Sequence, residues 1–242
     1  MSDKLVIGLS RLIAIQQHVD QIARNIANQD TSGFKSEGLQ FQEYLSSASE
    51  PLPSTNLRSL VSIKGFTDFS GGTLKATGVA TDVAIVGKEF FVVQTPNGER
   101  YTRRGSFATD ANGRLVTLSG QPVLTQAGVI TAPREEGPLA ISADGTVSTS
   151  KRILGQLRLV RFDDLQKLRA GDGGLFTASG PAIDVPSTDI RLVVGAIESS
   201  NVKPISEMSK LVAASNAYQN VAKLIMREES SDELRKLSGQ DM

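Results

Sequence analysis

The sequence predicts an α+β fold, with N- and C-terminal helices paired in a coiled-coil domain and a central all-β barrel- or sandwich-like domain. Two observations carry this expectation. At both ends of the chain apolar residues recur at steps of three and four, the spacing of a helical seam. The middle carries short apolar runs of strand formers, with turn residues about every 8–12 positions. Four segments follow: 1–33, the first helix of the coiled-coil domain; 34–76, an extended connector with short strands; 77–198, the β-rich domain; and 199–242, the second helix.

The first helix spans Asp3 to Asn28. Its seam is Leu5, Leu9, Leu12, Val19, Ile22 and Ile26, with Gln16 interrupting the row, and Val6, Ile13 and Ala27 widen the stripe. At 1.5 Å per residue it would run roughly 39 Å, long for a helix lying on a small globular core. Asn28 and the polar residues after it are stop signals. In 34–76, Pro51-Leu52-Pro53-Ser54 breaks any helix, and Gly71-Gly72 and Gly78 suggest extended chain with turns.

The β-rich segment opens with Val83-Ala84-Ile85-Val86 and Phe90-Phe91-Val92-Val93-Gln94. Pro96-Asn97-Gly98-Glu99, Asp110-Ala111-Asn112-Gly113 and Ala143-Asp144-Gly145-Thr146 are turns. Leu115-Val116-Thr117-Leu118 and Gln156 to Phe162 read as further strands. The second helix starts near Pro204, a residue favoured in a first helical turn. Its row is Met208, Leu211, Tyr218, Ala222 and Ile225, flanked by Val212, Val221 and Leu224; after Met226 the charged sequence is expected to fray into a polar tail.

Long amphipathic helices gain little from local hydrogen bonding against the backbone entropy they lose, so the terminal helices need partners on more than one side. Neighbouring copies or homologous subunits meet that need; a two-helix hairpin packed on the β domain is the other solution.

Composition excludes several functions. Lys+Arg and Asp+Glu are both 26, so the net charge of zero gives no long-range attraction to nucleic acid or an anionic membrane. With His18 the one histidine and no cysteine, zinc sites built from Cys or several His and Cys nucleophiles are excluded. No run approaches the 18 apolar residues of a span, so no direct membrane insertion is expected. The first residues lack a basic region followed by a continuous apolar run, so no cleavable signal is expected. No cofactor, metal site or catalytic residue is predicted. His18 reads as a polar helix position, Asp163-Asp164 as a solvated turn and Gly171-Asp172-Gly173-Gly174 as a permissive loop without the Lys-Ser/Thr of a phosphate loop. Arg100, Arg103, Arg104 and Arg114 read as a local basic cluster, most simply a solvated face, the other reading being a contact with an acidic neighbouring subunit.

Asn25-Ile26-Ala27-Asn28 followed by Thr31-x-Gly33-Phe34-Lys35 resembles the N-terminal signature of the flagellar rod and hook (axial) proteins. Asp82-Val83-Ala84-Ile85, Phe90 to Pro96, Arg100-Tyr101-Thr102-Arg103-x-Gly105-Ser106-Phe107 and Asp110 to Val116 follow the order of that family's core. Ser200-Asn201-Val202, Glu207-Met208 and Ala217-Tyr218-Gln219 match its last helix. Two departures are Lys88-Glu89 where the family has Asp-Gly, and Thr81 where it has Leu. Length and the opening Val6-x-Gly8-Leu9-Ser10-Arg11 look most like the proximal rod members; distal rod or hook subunits are the alternative.

The resemblance implies a structural subunit of the basal-body rod crossing the periplasm, part of the hollow shaft that passes torque from motor to hook. It implies contacts with other copies and with homologous rod subunits, export by the flagellar type III apparatus without signal cleavage, and no enzymatic activity. The helical seams would form the subunit interface, and Asn25, Asn28, Thr31, Gly33, Phe34 and Lys35 the turn between helix and β domain. The readings of another class are a monomeric binding or assembly-cap module and a secreted β-rich enzyme.

Overall fold

The computed structural model describes residues 3–46 and 58–237. The predicted break at Pro51-Leu52-Pro53-Ser54 lies outside the described residues. Chain contacts divide the protein into two compact units, with boundaries at Ala27/Asn28, Ser36/Glu37, Phe66/Thr67 and Val202/Lys203.

The helical unit contains α1 (Asp3–Ala27) and α2 (Pro204–Leu237). Arg24 sits in the last turn of α1 and Glu207 in the first turn of α2, each of the sign that suits the helix dipole. The helices run antiparallel and in contact: a Cβ on Gly8 would lie 3.0 Å from the Ile225 side chain, and Asn25 donates a 3.0 Å hydrogen bond to Glu207. The backbone of α2 stays helical to Leu237, past Met226 where fraying was expected, because the charged residues there are good helix formers. The same unit holds two strands of ten residues each, Glu37–Ser46 and Arg58–Thr67, paired in their own sheet, where the sequence predicted a connector with short strands.

The β unit is organised around Phe90–Thr95. The largest sheet has six strands, in the order Leu168–Ala170, Leu175–Ala178, Gly98–Thr102, Phe90–Thr95, Leu159–Arg161 and Ile183–Asp184, every pair antiparallel. Side chains alternate across a strand, so Phe91 and Val93 enter one core with Leu115, Leu157 and Leu159. Phe90 and Val92 enter another with Val160, Leu168 and Phe176. Burial on both faces is why this strand reads as an unbroken apolar run. Edge-on ring contacts join Phe91 to Phe107 at 5.1 Å and Phe90 to Phe176 at 5.8 Å.

The predicted barrel does not form. The outer edges of the six-stranded sheet, Leu168–Ala170 and Ile183–Asp184, do not meet, and small two- and three-stranded sheets form the remaining β structure. A sheet with a core on each face has no reason to roll around one of them. The segment expected as a single strand from Gln156 to Phe162 is two, Ile153–Gln156 and Leu159–Arg161, broken where the Leu157 N–H turns to the Gly145 carbonyl. The predicted turn at Asp110 is present, with its carboxylate accepting from the Asn112 and Arg114 N–H groups.

Replacing Phe91 by Ala is expected to destabilise the β unit by about 3–5 kcal/mol through the cavity it leaves. Replacing the exposed Ile153 by Ala should change stability by less than about 0.5 kcal/mol. Urea unfolding of the two variants checks both values.

Candidate assembly interface

The helix pair leaves much of its apolar surface uncovered. On α1 the row buried within the unit is Ala14, Gln21, Ile22 and Asn25. Relative to the expected seam this is rotated by about one position. Ile22 alone of the expected row is fully buried; Leu12, Val19 and Ile26 are half-buried, and Leu9 is 57% exposed. The side chain of Leu5 lies outside the described residues. On α2 the buried positions are Glu207 and Ala214, with Leu211, Ala222 and Ile225 half-buried. Met208 and Val212 are 53% and 62% exposed, Tyr218 is at the margin of exposure, and Ile205, Leu224 and Met226 stand out from the helix. Ile205, Met208 and Val212 follow at steps of three and four, so they share one bare stripe.

Polar residues fix what the helices do pair with. The Asn25 side chain donates to the Glu37 carbonyl and accepts from the Glu37 N–H, each at 2.9 Å, mimicking a strand partner. Its amide also reaches Glu207, and Gln21 donates to the same Glu37 carbonyl. Burial pushes the Glu207 carboxyl up, but hydrogen bonds from Asn25 and Lys210 outweigh it and leave the group below its ordinary value.

The junction that follows α1 folds with the β unit. The Thr31 N–H donates to the Asn28 carbonyl at 3.2 Å and its hydroxyl to the Asn28 side chain. Gly33 has φ +66°, and a Cβ there would lie 2.7 Å from the Arg104 nitrogen, so glycine is required by conformation and by space. The Gly33 N–H donates to the Glu198 carbonyl at 2.7 Å. Phe34 is half-buried, its N–H on the Thr31 carbonyl, and Lys35 is buried.

Lys35 ends in an ion cluster. Its ammonium donates to Glu198 Oε1 and to the Ser70 carbonyl, both at 2.6 Å. Arg103 reaches Glu198 Oε2 through Nε at 3.0 Å and Nη2 at 2.8 Å, and the Gly72 N–H donates to Oε1 at 2.9 Å. Arg103 Nη1 donates to the Gly87 and Glu89 carbonyls. Nearby, Asn201 accepts from the Ser36 N–H and donates to the Asp68 carbonyl. Burial pushes Glu198 up, but Arg103, Lys35 and the Gly72 N–H together pull it below its ordinary 4.5. Burial pushes Lys35 below 10.5, outweighing its bond to Glu198.

This corrects the expected solvated basic cluster. Arg103 is buried among these partners, Arg114 pairs with Asp110 at 2.8 Å, and Arg100 bonds neighbouring carbonyls. Alternation in the strand and a bend after it send the four side chains to different surroundings. Asp164 caps the short helical turn Leu165–Lys167, a turn role as expected. Glu198 was missed by the sequence reading. The signal was present: in Ala196-Ile197-Glu198 the pleat puts the carboxylate on the face of the buried Ala196, and a buried carboxylate demands a cation. Among the described residues no group of three or more His, Asp or Glu is placed to hold a metal, and no helix is long and apolar enough to cross a membrane.

Comparison with known proteins places these features in one family. Residues 84–149 match the flagellar hook protein FlgE/F/G D1 domain, residues 193–233 the flagellar basal body rod FlgEFG protein C-terminal region, and residues 5–35 the flagella basal body rod protein family. A flagellar basal-body rod protein FlgF of Caulobacter vibrioides is 37% identical over 93% of each chain. A FlgF of Mesorhizobium japonicum is 34% identical over 99% of each. A FlgG of Buchnera aphidicola is 33% identical over 98% of this chain and 99% of its own.

Replacing Glu198 by Gln keeps the shape but leaves two buried cations without their anion, at an expected loss of about 3–5 kcal/mol. Because the folded-state value of Glu198 is depressed, its contribution is fully present above 4.5 and disappears as pH falls through the lowered value. The wild type should therefore lose stability on acidification in that range, and Glu198→Gln should lose less, in unfolding curves taken at each pH.

Proposed function

The chain belongs to the flagellar basal-body rod protein family, and we propose that it serves in the proximal part of the rod, polymerising through its terminal helices. It is a structural subunit of the rod. The observation that carries the finer reading is the bare stripe Ile205, Met208 and Val212, with Leu9 and Ile13 exposed on α1. An apolar face of this kind on a helix pair already in contact suits further helices, giving a coiled-coil inner wall built from several subunits. The partners are other copies and homologous axial subunits, and the wall they make encloses the hollow of a shaft that carries torque across the periplasm to the hook. Export through the flagellar type III apparatus fits a chain without cysteine, since threading would be hindered by early disulfides. The similarity to relatives named FlgF supports the proximal position.

The exposed and buried apolar positions separate assembly from folding. Met208→Asp or Val212→Asp is expected to leave the unfolding midpoint within about 0.5 kcal/mol of wild type while abolishing incorporation into basal bodies and swimming. Ile22→Asp should instead weaken the helical unit itself. Normal motility with both exposed variants would overturn the interface.

A further inference from the structure

We propose that the pocket beside Arg104 receives one carboxylate side chain from a neighbouring axial subunit, with Arg104 as the residue that recognises it. The proposal rests on the rod reading above and names a contact of the β unit that the helical seams do not supply.

Arg103 and Arg104 are adjacent and have opposite fates. Arg103 spends its donors on Glu198 and two carbonyls. The Arg104 side chain makes no hydrogen bond or ion pair with any described residue, and its Nε is shielded from solvent. Buried polar groups without a partner are rare in folded proteins and ask for a reason. Burial also pushes this guanidinium below its ordinary value, and nothing nearby opposes the shift.

The position is built rather than incidental. The Thr102 hydroxyl accepts from the Arg104 N–H at 3.1 Å and donates to the Gly174 carbonyl at 3.0 Å, tying the arginine to the loop 171–174. Gly174 has φ +73°, and a Cβ on it would lie 2.6 Å from the Arg104 Cζ and 2.9 Å from Nη2. The guanidinium therefore rests against a glycine whose φ other residues rarely adopt, and a side chain there would push it out of place. The cavity in front of it is small, about 40 Å³, and is lined by Ser32, Thr102, Ser106, Thr117, Ser119 and Leu118, with no acidic residue.

The Thr102 and Thr117 hydroxyls donate within the chain, so the guanidinium and the three serines are the donors on offer, with no negative charge beside them, which is the complement of a carboxylate. The space suits a side-chain head and not a nucleotide. Leu118 decides between a free anion and a protein carboxylate. It lines the same cavity and is 77% exposed. A small anion would leave it bare, whereas a docked subunit would cover it and exclude water from the ion pair. Arginine is enriched among interface hot spots, which neighbouring contacts shield from water.

The test uses the full-length chain, produced as the sole copy in its own bacterium and also purified. Arg104→Gln removes an unpaired, partly buried cation, so its unfolding midpoint should equal or exceed that of wild type. Its amount in isolated basal bodies should fall several-fold, and that of Arg104→Glu more than tenfold. Leu118→Asp should likewise keep its midpoint and lose incorporation. A lowered midpoint for Arg104→Gln would assign the residue a structural role and overturn the proposal. Full incorporation of Arg104→Glu alongside incorporated wild type would overturn it while leaving the rod reading intact. Absence of the wild-type chain from basal bodies would overturn both. Purified wild type is also titrated with sodium acetate and sodium phosphate. A rise in midpoint saturating below about 1 mM, and missing in Arg104→Gln, would make this a small-anion site instead.

Discussion

The carboxylate of Glu198 gathers four distant parts of the chain onto one group. Its four lone-pair sites meet four donors, from Lys35, Gly72 and twice from Arg103. Its own carbonyl takes the Gly33 N–H. One residue thus grips the junction after α1 by side chain and backbone, and grips the core strand through Arg103. The cluster carries two cations for one anion, and the surplus is met by the carbonyls of Ser70, Gly87 and Glu89. Buried ion pairs add little stability compared with apolar residues of the same volume. Their geometry is strict, however, and this one admits a single arrangement of residues 33–35, 70–72, 103 and 198.

Much of the fold was legible in local pattern. The three–four spacing places α1 to within a residue of its end at Ala27. The Phe90 to Gln94 run is the central strand, and Gly33 stands where the chain turns. What could not be read depends on distant partners. Nothing local distinguishes Arg103 from Arg100, Arg104 or Arg114; only Glu198, 95 positions away, does so. The choice of buried row on α1 was obscure for the same reason. The row includes Gln21 and Asn25, polar residues that an apolar pattern discounts, and the strand residue Glu37 that satisfies them lies outside any helical period. The open sheet was hidden because a strand buried on both faces looks the same in a barrel wall as between two cores.

The two polar clusters divide the work of the junction motif. Asn25 acts within the helical unit, bonding Glu37 and Glu207, while Thr31, Gly33 and Lys35 act within the β unit. A motif that looks continuous in sequence is therefore two anchors with a boundary at Ala27/Asn28 between them. This explains its mixture of residue types: amides where a backbone must be mimicked, a glycine where backbones approach, and a cation where a carboxylate is buried.

The arrangement around Glu198 also has a mechanical meaning. The chain leaves α1 at residue 28 and approaches α2 at residue 202, and within the β unit both tethers are fastened at nearly the same point. Gly33 and Lys35 on the first bond to Glu198, and Ser36 bonds to Asn201 on the second. A pull on one tether is thus shared with the other over a few ångströms, before it reaches the apolar cores. In a part that works under load, the bonds that meet first along both tethers are these short ones, one a buried ion pair and one a backbone N–H on an amide.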